Sequence, residues 1–377
     1  MRVALVHYWL VGMRGGERVL ESLCRMFPEA DIYTHVVDRG AISKLLSKHE
    51  IRTTFIANLP FAKRLYPKYL PLMPQALEAL DLTDYDLIIS NEAGPAKGII
   101  AGPDTPHICY CCSPMRYIWD QYHIYRKNSG FFTRLVMLPF AHYLRMWDVS
   151  SSARVDKFLA DSNHVANRIT KFYRRPATVV YPPVAVDEFA PAPFEEVGDY
   201  YLWAGQLVRY KRPDIAIEAF TRNGKKLVVI GEGEEKARLE RGCGDNIRFL
   251  GSTSFPELKH HFARCKALIF PGEEDFGIVP VEVQAAGRPV IAYGKGGALD
   301  TVVDGKTGVL FKPSTTEGLI AAIERFEASG ISENCTADCV ANAKGFTEAS
   351  FQAGIRAALA EVGFDYEAFQ SVRASAG

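Results

Sequence analysis

The stretch "EEDFGIVPVE", residues 273–282, sets Glu274 and Glu282 on either side of Gly277 and Pro280, with seven residues between the two acids. The preceding "ALIFPG" reads as a strand and the following residues as a helix, which Gly287 and Pro289 bring to a stop. Pro280 is expected at the first helical position. Gly277 lets the backbone approach a ligand closely. The N–H groups around 277–281 then make an anion site suited to a phosphate or diphosphate. Carboxylates cannot share that anion, because like charges repel. Each is suited to accept hydrogen bonds from hydroxyls at one end of a ligand whose middle is anionic. A sugar, a diphosphate and a ribose, in that order, satisfy the pattern. So does the plainer reading, a capping glutamate at 282 beside a solvated acidic loop.

Other strand ends carry the same kind of turn. "AGQLVRYKRPD" (204–214) follows a strand with a glycine and then a basic loop. Arg209, Lys211 and Arg212 could neutralise phosphate charge there, or form a solvated turn. "VVIGEG" (228–233), "FLGST" (249–253) and Gly296–Gly297 within "IAYGKGGALD" add further strand-end glycines. In the first half, "YWLVGMRGGERVL" (8–20) places Gly15 and Gly16 immediately before a helix, open to a diphosphate or an acceptor. The segment lacks G-x-G-x-x-G, which argues against a nicotinamide dinucleotide. Asp-x-Asp in "TDYD" (83–86) precedes a strand and reads as a turn.

Short apolar runs alternate with helical patterns along the whole chain, the mark of a parallel α/β architecture. Strands are expected at "VALVHYW", "LIIS", "HICYC" and "KFLADS", with a helix at "ERVLESLCRMF". "ATVVYPPVAVDEFAPAP" (177–193), one strand and then four prolines, is the junction. The rhythm restarts at "YYLWAG" and continues through "KLVVIGEG", "NIRFLG", "ALIFPG", "PVIAYG" and "GVLF". Two doubly wound, Rossmann-like domains facing a cleft are expected, with ligands at the carboxyl ends of the strands.

The composition suits two such domains. The chain has 377 residues, 48% of them hydrophobic, and no net charge. Residues 1–187 nevertheless hold 23 Lys and Arg against 17 Asp and Glu, and the remainder 21 against 27. A basic first half suggests an anionic partner for it. No signal peptide is read at the start, and "FFTRLVMLPFAHYLRMW" (131–147) falls short of a spanning helix, so a cytoplasmic chain is expected. The eight cysteines form no zinc pattern, and Cys109 and Cys112 read as reduced thiols at a strand end. "AKRLYPKYLPLMP" (62–74) and residues 115–147 mix aromatics with Lys and Arg. That suits contact with the inner face of a membrane and an acceptor on a polyprenyl diphosphate, or a packed insertion with snorkelling arginines. Nucleic acid is not expected, since the phosphate sites lie in the other half.

Residues 272–311, "GEEDFGIVPVEVQAAGRPVIAYGKGGALDTVVDGKTGVLF", resemble the donor-site segment of the family 4 retaining glycosyltransferases. "FLADSNHVANRITKFYRRPATVVYPPVAVDEF" resembles their strand and linker. "HYWLVGMRGGERVLE" and "PHICYCCSPMRYIWDQY" resemble the bacterial mannosyltransferase branch that builds surface polysaccharides. The resemblance implies the GT-B fold: an acceptor-binding domain over 1–187, a nucleotide-sugar-binding domain over 188–347, and a terminal helix within 348–370 packed back on the first.

It also implies roles. Glu274 would hold the donor sugar and Glu282 the ribose diol. Lys211 would hold the diphosphate, making Glu274 and Lys211 the catalytic pair. The backbone of Phe276, Gly277, Ile278 and Val279 would touch sugar and phosphate, with Gln206 and Arg209 beside them. On the acceptor side stand Gly15, Gly16, Cys112 and Arg116. No metal and no cofactor is expected beyond the nucleotide sugar. Two positions depart from the family: Gln206 stands where arginine is usual, and Cys112 or Ser113 where histidine is usual, with Arg209 as a substitute for the first and His7 or His107 for the second. The activity implied is transfer of a hexose, mannose from GDP-mannose, to a lipid-linked oligosaccharide. A nucleotide-sugar epimerase of the same fold and a non-catalytic relative are the alternatives.

Overall fold

The computed structural model describes residues 1–92 and 94–374. Contacts divide the chain into two units: one holds Met1–Pro183 with the chain from Ala349 onward, the other Val184–Glu348.

The first unit is built on a parallel sheet of β1 (Val3–His7), β2 (Asp31–Thr34), β3 (Ile51–Thr53), β4 (Leu87–Glu92), β5 (His107–Cys111), β6 (Lys157–Ala160) and β7 (Ala177–Val179). Their order is β3-β2-β1-β4-β5-β6-β7. Every residue of β1 and β5 is buried, which is why these strands read as unbroken apolar runs rather than alternating ones. β2 and β3 escaped the sequence reading. They are four and three residues long, and the polar Asp31, Thr34, Arg52 and Thr53 break their apolar signal. The Glu348–Glu361 helix sends Phe351, Ile355, Ala358 and Leu359 into the core beside Leu5, Ile89 and Tyr110. These positions recur at helical spacing, so one face carries the docking. Phe351 meets Tyr110 edge-on at 5.4 Å between ring centroids. Burying each large apolar side chain stabilises the attachment by about 1.5–3 kcal/mol.

The expected boundary at 187 lies four residues late. The Val184 N–H donates to the Phe346 carbonyl at 2.9 Å, and residues 184–187 belong to the second unit.

The second unit is built on β8 (Tyr201–Ala204), β9 (Leu227–Ile230), β10 (Ile247–Gly251), β11 (Leu268–Phe270), β12 (Val290–Tyr293) and β13 (Gly308–Phe311), all parallel, in the order β10-β9-β8-β11-β12-β13. Its core gathers Trp203, Phe220, Val229, Ile269, Ile291 and Phe326.

Both sheets reverse their winding once, between β1 and β4 in the first and between β8 and β11 in the second. Loops leave such a pair of strands in opposite directions and open a crevice at their carboxyl ends. Among the described residues, no helix is long and apolar enough to cross a membrane.

Candidate functional site

In the second unit the loops after β8 and β11 meet at that reversal. Gly272, just past β11, lies against the Lys211 backbone, where a β-carbon would come within 2.7 Å of the Lys211 Cα. This close passage brings the Lys211 Nζ to 2.7 Å from the Glu274 Oε1. Both side chains are largely withdrawn from solvent. The Gly296–Gly297 turn supports the loop from the other side. The Gly297 N–H donates to the Glu274 carbonyl at 2.9 Å, and a β-carbon on Gly297 would sit 2.2 Å from the Phe276 carbonyl oxygen. Glu273, for which the sequence offered no partner, pairs with Lys295 at 3.0 Å.

The helix that follows spans Ile278–Ala285, with Gly277 at φ +89 as its N-cap. Pro280 is therefore the third helical residue, not the first. The position tolerates proline because the opening N–H groups of a helix have no intrahelical acceptor. With Pro280 lacking an N–H, the helical donors left without an intrahelical acceptor at this end are the N–H groups of Ile278 and Val279. Glu282 is buried on the same helix, at 8% exposure. Asn342 Nδ2 donates to the Gln284 Oε1 at 2.7 Å, and Gln284 Nε2 donates to the Thr301 carbonyl at 2.7 Å, so the helix is fixed in rotation as well as position.

The three cations of the β8 loop part company. Lys211 turns to Glu274. Arg212 closes on Asp214 with two donor nitrogens. Arg209 is taken up by Glu235 at 3.0 Å, and Arg238 binds the other oxygen of that carboxylate. The two arginines hold the Glu235 carboxyl below its usual range. Gln206 is exposed. The substitution of Arg209 for a charge missing at Gln206 thus has a competitor that the sequence did not reveal.

In the first unit, Gly15 and Gly16 are the first two residues of the Gly15–Met26 helix rather than residues before it. Asn91, at the end of β4, ties this turn to the end of β5. Its Nδ2 donates to the Gly16 carbonyl at 2.7 Å, and its Oδ1 accepts from the Cys112 Sγ at 3.5 Å. Arg116 is half-buried further along that loop. Glu17 accepts from the Arg14 N–H at 2.9 Å and lies 3.7 Å from the His7 Nε2. Burial pushes the Glu17 carboxyl up, but His7 and the backbone donors outweigh it and hold the group below its usual range. Asn91 and Glu17 went unnoticed in the sequence, since a single polar residue at a strand end carries no pattern.

His7 does stand at the carboxyl end of β1. His107 does not reach this end of its sheet: it opens β5 and bonds Ser90 Oγ at 2.8 Å through Nε2. It is a packed histidine, and burial lowers its pKa to about 4. The described residues contain no group of three or more His, Cys, Asp or Glu arranged to hold a metal ion.

Residues 187–345 match the family model described as "Glycosyl transferases group 1", and residues 13–188 the model described as "Glycosyltransferase Family 4". A D-inositol 3-phosphate glycosyltransferase of Streptomyces avermitilis is 29% identical over 191 residues, covering 42% of this chain and 41% of that protein. An alpha-1,3/1,6-mannosyltransferase, ALG2 of Dictyostelium discoideum, is 41% identical over 87 residues, 23% of this chain and 20% of the relative. The chain spans about half the length, or less, of the curated relatives it matches. The crystal structure of Anabaena HepE in complex with UDP superposes with a TM-score of 0.68 at 16% identity, covering 96% of this chain and all of that one. At such identity the likeness speaks for the fold alone.

Proposed function

Since the chain belongs to glycosyltransferase family 4 and has the GT-B fold, we propose that it is a retaining glycosyltransferase moving a hexose, mannose from GDP-mannose, onto a lipid-linked oligosaccharide of a bacterial surface polysaccharide. The observation that carries this reading is the meeting of Lys211 and Glu274 at the winding reversal of the second sheet, beside the start of the Ile278–Ala285 helix. A cation, a carboxylate and an open helix end are what a sugar diphosphate requires.

In this reading the diphosphate sits at the N–H groups of Ile278 and Val279, with Lys211 against it. Charge gathers on the departing nucleoside diphosphate as the glycosidic bond to the donor breaks, and fixed donors stabilise that charge more in the transition state than in the ground state. Glu274 orients the sugar through its hydroxyls, and Glu282 accepts from the ribose diol. Backbone donors and Lys211 take the place of a divalent ion. The acceptor approaches the Gly15–Gly16 turn and the Cys112–Arg116 loop. Because the acceptor is carried by a lipid, the chain works at the inner face of the cytoplasmic membrane. The ALG2 match favours mannose as the sugar.

The test is a thermal-shift panel of nucleotide sugars, followed by nucleoside diphosphate release with extracted lipid acceptors. GDP-mannose should raise the melting temperature through its binding, and release should require the acceptor. Stabilisation by UDP-sugars alone would overturn the mannosyl assignment. Conversion of the sugar without any acceptor would point to an epimerase. Binding with no transfer to any acceptor would point to a non-catalytic relative.

A further inference from the structure

The Phe131–Ser152 helix of the first unit packs one face against the fold through Ala141, Leu144 and Trp147, with Met137 beside them. Near its C-terminal end, Asp148 is fully buried and accepts from Trp119 Nε1 at 2.7 Å and from the Tyr173 hydroxyl at 2.9 Å, and it pairs with Lys97. Trp147 Nε1 adds a bond to Glu78 at 2.8 Å. Its opposite face carries exposed apolar residues. Phe131 is 77% exposed, Leu135 65% and Leu138 59%, and Met146 and Val149 continue the row. With His142 these residues recur at steps of three and four, so they lie along one stripe of the helix. The stripe is about 27 Å long. A run of exposed large apolar side chains of this extent is unusual on a soluble surface.

The chemistry beside the stripe says what covers it. His123, Arg126, Lys127 and Arg134 line a notch at the start of the helix, and no acidic residue lines it. The Arg126 Nε is buried there without a hydrogen-bond partner among the described residues. From Gln121 to Trp147 the chain has no Asp or Glu at all, against four Lys and Arg. An anionic lipid surface pairs them and buries the stripe at once.

We propose that this helix lies in the interface of a bilayer bearing anionic lipids, with its apolar stripe among the acyl chains and the notch holding lipid phosphates. The proposal deepens the lipid-acceptor reading above by assigning the element that brings the chain to its acceptor. Its test needs no sugar donor.

The full chain is sedimented with vesicles of phosphatidylcholine alone and with vesicles that also contain phosphatidylglycerol. Wild type should pellet with the anionic vesicles, less so as salt rises. Replacing Arg126, Lys127 and Arg134 together by Ala should weaken that partition roughly a hundredfold. Leu135→Ser with Leu138→Ser should abolish it while leaving the melting temperature unchanged, since both side chains are exposed in the fold. Wild type remaining in the supernatant with anionic vesicles overturns the proposal, as does unaltered pelleting of both variants. A lipid-free dimer that the serine variant dissociates, with vesicle binding unaffected, makes the stripe an interface between copies and also overturns it. Donor-induced thermal shifts measured on the same variants keep the two readings apart: loss of vesicle binding with the shift retained removes only the docking assignment.

Discussion

The Lys211 ammonium and the Glu274 carboxylate are bonded to each other, at 2.7 Å between Nζ and Oε1. Both belong to the groups assigned to the donor. On the proposed reading, a diphosphate arriving beside Lys211 would compete for its donors, and a sugar hydroxyl arriving at Glu274 would replace the bond that the carboxylate loses. Without donor, the pair keeps two nearly buried charges matched.

Lys211→Ala should therefore affect catalysis far more than folding. Loss of one group that stabilises developing charge lowers turnover by about a hundredfold to a thousandfold. Nucleoside diphosphate release under saturating donor measures it. Turnover within a few-fold of wild type would remove Lys211 from the chemistry.

Glu282→Ala should weaken binding of the bare nucleotide about tenfold to a hundredfold, the range for a hydrogen bond to a charged group. Calorimetric titration with GDP and with 2′-deoxy-GDP separates the ribose contact from a packing effect. The variant should lose most of the discrimination between the two. Equal loss for both nucleotides would mean that Glu282 serves the helix and not the ribose.

Gly297→Ala should destabilise the second unit by about 1–3 kcal/mol, the usual cost of overpacking. The new methyl would press on the Phe276 carbonyl, which belongs to the backbone and cannot turn away. Urea unfolding gives the stability, and nucleotide titration should show weaker binding of the diphosphate. Wild-type stability would show that the turn can shift without consequence.

Acid should destabilise the first unit before its carboxylates titrate. Burial lowers the pKa of His107 to about 4 and of His35 to about 3. In the unfolded chain both take up protons near pH 6.5. The unfolded state then binds more protons below that pH, so stability present above pH 6.5 is lost as pH falls toward 4. Each histidine contributes a slope of up to about 1.4 kcal/mol per pH unit. Unfolding midpoints measured from pH 7.5 to 4.5 should fall, and His107→Gln should flatten the curve. A midpoint independent of pH across this range would contradict the buried neutral state.

The sequence by itself determined the architecture, because strands buried on both faces must read as apolar runs, and helices between them must carry a periodic apolar face. It also marked the stretch 273–282, since an open helix end, a left-handed glycine and two flanking acids are local features of neighbouring residues. Pro280 shows the limit even there: its missing N–H is harmless anywhere in the first turn, so the residue did not fix where the helix begins.

What only the tertiary structure decided was the pairing of side chains from distant segments. Lys211 meets Glu274 because β8 and β11 are neighbours and Gly272 lets their loops pass. Arg209 meets Glu235 because the loop after β9 folds beside it. Asn91 links Gly16 to Cys112 because β4 lies between β1 and β5. His107 and Cys112 flank one strand in the sequence, yet a parallel strand sends its two ends to opposite edges of the sheet. Contacts of this kind depend on strand order, which leaves no periodic trace along the chain.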